Sequence, residues 1–87
     1  MYTADDFNLG HAPKEMVQYV IDNVNDFEFR YQHALSIIGR DRCPLRMANL
    51  CLYAEIEDMI KEWCEEDNWL NGNSRNPDDY DIEEIFG

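Results

Sequence analysis

Residues 78–84 read DDYDIEE, five carboxylates in seven positions, the densest set of hard oxygen ligands in the chain. Oxygen donors of this kind suit calcium. A helix–loop–helix calcium loop, however, alternates its ligands, turns on a mid-loop glycine and closes on a bidentate glutamate. No glycine interrupts DDYDIEE, and a helical backbone would aim its carboxylates in different directions, so no metal site is expected. His11 and His33 have no cysteine at zinc-ligand spacing. Cys43, Cys51 and Cys64 are odd in number and fit no CxxC pattern, which reads as reduced, buried small hydrophobes.

Catalytic constellations are equally thin. Ser36 and Ser74 stand in no nucleophile-elbow context. His33, close to Phe29 and Tyr31, reads as a packing imidazole, not a general base. Carboxylates abound, but acid–base work needs a pair whose environments separate their pKa values. There is no glycine-rich phosphate loop. The expectation is a non-enzymatic protein without cofactor or metal, whose chemistry is recognition.

Charge says where that recognition lies. The 87 residues carry a net charge of −12. Residues 1–54 hold seven acids against five Lys or Arg, whereas residues 55–87 hold twelve acids against Lys61 and Arg75 alone. Charge placed this way speaks to partners and solubility. It opposes direct binding of nucleic acid or an anionic membrane, which carry the same sign. With no bilayer-length apolar run and no signal peptide, a cytoplasmic protein is expected.

The elements that must hold these residues are helical. Residues 1–12 form an arm without sustained period. Pro13 suits a helix start, and Val17, Val20, Ile21, Val24, Phe27, Tyr31, Leu35 and Ile38 follow at helical spacing up to Gly39. This predicts a helix over 13–38, kinked near Asn25, where short polar side chains compete for the backbone; two shorter helices are the alternative. GRDRCP (39–44) is a turn. A second helix over 44–67 carries Leu45, Ala48, Leu52, Ile56, Met59 and Trp63 as a heptad-like seam, widened by Tyr53, Ile60 and Cys64. After a polar loop (71–76), Asn76-Pro77-Asp78-Asp79 opens a short acidic helix over 77–86, with Ile82, Ile85 and Phe86 on one face. The fold class is therefore all-α: one domain, a helical hairpin with a short C-terminal helix.

On the second helix Glu55, Asp58, Glu62, Glu65 and Glu66 fall within a sector of roughly 100°, about 120° from the apolar seam. Residues 55–67 hold seven acids over about 20 Å, a length in which one DNA strand carries about six phosphates. The expected partner is thus a protein with a basic surface, a nuclease or other nucleic-acid-binding protein. Its contact surface is expected to comprise Glu55, Asp58, Glu62, Glu65, Glu66, Trp69, Asp78, Asp79, Tyr80, Asp81, Glu83 and Glu84, with Trp63 at the edge. The plainer possibility is that the acids only keep a small aromatic protein dissolved.

No family motif aligns to the chain. In size, acidity and compactness it resembles the small phage or mobile-element inhibitors that antagonise nucleases, anti-CRISPR proteins among them; the resemblance is compositional and assigns no residue a role. The competing function is a structural or adaptor module that assembles through its apolar and aromatic helix faces. Arg30, Arg40, Arg42 and Arg46 cluster around the first turn. They are expected to pair with acids of the same chain or of a second protomer in a two-fold homodimer, in preference to gripping RNA beside Tyr31.

Overall fold

The structure, a computed structural model, describes residues 2–38 and 50–86. Gly39, the 39–44 turn with Arg40, Arg42 and Cys43, the Pro44 helix opening, Leu45, Arg46 and Ala48 lie outside the described residues, as do the side chains of Ile38 and Cys51. Among the described residues the chain is all-α, without a strand. Its helices are α1 (Lys14–Asn23), α2 (Phe27–Ile38), α3 (Leu50–Asn71) and α4 (Ile82–Phe86), with single 3-10 turns at Ala4–Asp6 and Pro77–Asp79.

The first predicted helix is two helices. Val24 adopts an extended conformation (ψ 121°) and Asp26 a left-handed one (φ 56°), so the helical ladder stops at Asn23 and restarts at Phe27. Asp tolerates this backbone region better than most residues because its short side chain bonds locally. The apolar spacing nevertheless runs through the break: Val20, Val24, Phe27 and Tyr31 are all buried. Residue 19 of α1 bonds residue 62 of α3, and residue 30 of α2 pairs with residue 55. One index rises as the other falls, so the chain from residue 19 to residue 30 runs opposite in direction to α3.

Along α3 the fully buried line is Leu52, Ile56, Ile60 and Cys64, in steps of four, with Met59 and Trp63 half-buried beside it. That is the drift of a straight helix in a globular core, not the 3.5-residue repeat of a coiled-coil seam. The helix runs past residue 67 to Asn71. Gly72 ends it, with φ +67° and its N–H donating to the Asn68 carbonyl at 3.0 Å.

Both ends of the described chain belong to the core. Ala4 is fully buried, and its N–H donates to the Gln18 side-chain carbonyl at 2.9 Å. Tyr2 and Phe7 from the arm meet Phe27 and Tyr31 of α2, and Phe7 lies 5.1 Å, centroid to centroid, from Phe86 of α4. Phe27 reaches the same Phe86 ring at 5.7 Å, edge on. Five of the eleven aromatics thus close this part of the core.

The predicted C-terminal helix is also interrupted. Asn76 accepts from the Asp78 N–H at 3.0 Å to start the turn, but Tyr80 is extended and buried. The Asp81 carboxylate then accepts from the Glu83 N–H at 2.9 Å and starts α4 afresh. Swinging Tyr80 inward breaks the ladder that a single helix over 77–86 would need.

Candidate functional site

The outward side of α3 exposes Asp58, Glu62, Glu65 and Glu66. Positions 58 to 66 span about 12 Å of helix axis. Among the described residues, no Lys or Arg comes within ion-pair distance of Asp58, Glu65 or Glu66. One turn beyond Glu65, Trp69 stands 83% exposed in the same sector, and Leu70 beside it is 60% exposed. Trp69 and Leu70 are adjacent, so the exposed apolar surface there comes from two side chains and not from one.

Glu55 differs from its neighbours. It is half-buried and takes Arg30 of α2 as an ion-pair partner, so its charge is spent within the molecule. Glu62 accepts from the Tyr19 hydroxyl at 3.3 Å. Burial raises the Tyr19 pKa, and the nearby Glu62 and Glu66 carboxylates raise it further. The phenol therefore stays a donor, and negative potential extends from α3 onto α1.

The C-terminal end of α3 is held, on the side away from this row, by a polar cluster that spacing did not reveal. Arg75 donates from Nε to Asp67 at 2.7 Å and from Nη1 to the Tyr80 hydroxyl at 3.0 Å, and its guanidinium lies 5.3 Å from the Trp63 ring centroid. Asp67 also accepts from Asn73 at 2.7 Å and from Asn71 at 2.8 Å. These donors, Asn73 first and Arg75 next, hold its carboxyl below the usual range, and Asp67 in turn raises the Arg75 pKa. Asn68 clamps the Arg75 backbone from both sides, donating to its carbonyl at 2.9 Å and accepting from its N–H at 2.7 Å. The one signal in the sequence was Arg75 itself, isolated among acids.

The expected contact residues therefore divide. Tyr80, expected at the contact surface, is only 9% exposed, packs in the core and accepts from Arg75 at its hydroxyl. Trp63 is half-buried beneath the same guanidinium. Asp78, Asp79, Asp81 and Glu84 are exposed, and Glu83 is half-buried. Asp78 and Asp81 line a depression with Glu57 and Lys61, on a flank of α3 roughly 140° from Glu62 and Glu66 but only about 60–80° from Asp58 and Glu65. Asp79 gives its carbonyl to the His11 ring at 2.8 Å, and Asp81 caps α4. Among the described residues, no three His, Cys, Asp or Glu side chains converge as metal ligands, and no helix is long and apolar enough to cross a membrane.

Compared with protein families, with curated proteins and with solved structures, the chain shows no match.

Proposed function

We propose that the protein is a non-enzymatic binder whose α3 face occupies the basic surface of a nucleic-acid-handling protein in the cytoplasm and there competes with nucleic acid. One observation carries this: Asp58, Glu62, Glu65 and Glu66 form an exposed row on a single rigid helix, ending at the exposed Trp69. Four charges over about 12 Å approach the spacing of one charge per ~3.4 Å along a nucleic-acid strand. The helix holds them without the entropy loss that a floppy acidic tail suffers on binding. Charge then speeds encounter, and Trp69 lengthens residence.

The test uses immobilised protein to capture partners from the cells it comes from, followed by elution with duplex DNA or RNA. Parent protein should retain a basic nucleic-acid-binding protein that nucleic acid displaces, with retention falling steeply as salt rises. The Glu62→Lys/Glu65→Lys double variant should associate at least about tenfold more slowly. Equal capture by that variant, or capture that nucleic acid cannot displace, refutes the proposal.

A second reading rests on Trp69 and Leu70, adjacent and largely exposed: an adaptor that docks through apolar contact, its acids only solubilising. In that case Trp69→Ala abolishes association and charge reversal leaves it unchanged. Light scattering across protein concentrations separates self-assembly from docking to another protein.

A further inference from the structure

Two depressions adjoin across Tyr19 and Trp63, between α1 and α3. One, of about 620 Å³, runs along Glu15, Gln18 and Asp22 of α1. The other, of about 300 Å³, continues past Glu66 to Leu70 of α3. Together they form a groove with an aromatic floor and carboxylates on both walls. Two cations border it, and both are engaged: Lys14 by Asp5 at 3.0 Å and Arg75, over Trp63, by Asp67 at 2.7 Å. Negative potential concentrated over aromatic faces suits a guanidinium, which stacks on a ring while its N–H groups bond carboxylates. The molecule shows this arrangement once within itself: Arg75 lies over Trp63 while bonded to Asp67.

We propose that this groove receives an arginine side chain from a basic segment of the protein partner, laid on Tyr19 beside Trp63 and bonded by Glu15 and Glu66. The proposal rests on the function proposed above and gives the partner's contact residue its chemistry. Arginine is favoured over lysine because an ammonium is a compact, strongly hydrated charge, whereas a guanidinium stacks and loses less on leaving water. Nucleic acid and anionic lipid carry the groove's own sign. Among the described arginines Arg30 serves Glu55 and Arg75 serves Asp67, so a second copy would have to offer Arg40, Arg42 or Arg46, a self-contact that the concentration series below distinguishes.

The test titrates ¹⁵N-labelled protein with capped hexa-arginine and, separately, capped hexa-lysine at low and high salt, observed by two-dimensional NMR. The Trp63 and Trp69 indole N–H signals report the groove and the outer face independently. Hexa-arginine should move the Trp63 indole and the amides of residues 15–22, binding at least about fivefold more tightly than hexa-lysine. The Glu15→Gln/Glu66→Gln variant, both positions being exposed, should keep the parent spectrum and bind hexa-arginine about tenfold more weakly. Equal affinities with shifts confined to Asp58, Glu65 and Trp69 overturn the groove and leave the acidic α3 face standing. No shift with either peptide at low salt overturns both. Shifts in the groove on raising protein concentration alone make it a self-contact and overturn the arginine assignment.

Discussion

Replacing Phe86 by Ala tests whether the last helix is core or an appendage that orders only on a partner. The Phe86 side chain is 1% exposed and touches Phe7 at 5.1 Å and Phe27 at 5.7 Å between ring centroids. Truncating a buried phenylalanine costs about 3–5 kcal/mol, part of it the ring pairing that alanine cannot supply. A chain of this length has a total stability of roughly 4–13 kcal/mol. The variant should therefore lose a large share of its stability, with Tm lowered by at least about 12 °C. Urea unfolding followed by near-ultraviolet circular dichroism should show a lower midpoint at unchanged slope. The shift should not depend on protein concentration, because every contact lies within one chain. Phe29→Ala is the control: that ring is 73% exposed, and its loss should change stability by less than about 0.5 kcal/mol. A cost below about 1 kcal/mol for Phe86→Ala, or a loss repaired by raising concentration, would refute the closed aromatic core.

Asp67, with its lowered pKa, contributes stability at pH above its unfolded-state value near 3.8 and loses it as pH falls through the lower folded value. Asp67→Asn should thus be less stable than the parent at pH 6, and the gap should close on acidification below about pH 4, read by urea midpoints at each pH. Asp26 has φ +56°, so Asp26→Gly should be neutral or stabilising by up to about 1 kcal/mol, while Asp26→Val should cost more than about 1 kcal/mol in the same measurement. Gly72→Ala should cost about 1 kcal/mol through its φ of +67° alone, since a methyl group there meets nothing within 4 Å. In stopped-flow binding to a captured partner, Glu62→Lys/Glu65→Lys should lower the association rate, whereas Trp69→Ala should raise the dissociation rate.

Periodicity located most of the helical core because local spacing decides which side of a helix is buried: Val17, Val20, Val24, Phe27, Tyr31, Leu52 and Ile56 all emerged inside. It could not choose between a kink and a break at residues 23–26. The apolar phase is continuous there, and the deciding term is the left-handed backbone of Asp26. The outward row on α3 was legible for the same reason the core was. The roles of Tyr80, Arg75 and the arm were not, since each depends on partners distant in sequence or on loop geometry. Tyr2 and Phe7 read as an arm because their period is short and irregular, yet they pack on rings from α2 and α4. Tyr80 read as surface because acids surround it in sequence; a single guanidinium reverses that placement.

The Phe7–Phe86 contact has a consequence for biosynthesis. It joins positions near opposite ends of this sequence, so a ribosome must deliver nearly all of it before the core can shut. Until then Phe7 and Phe27 lack the ring that packs on them, and the nascent polypeptide offers chaperones a sticky aromatic patch. Folding is thereby coupled to synthesis of α4, and a polypeptide that stops short of it should be cleared by proteases before its acidic α3 can engage anything.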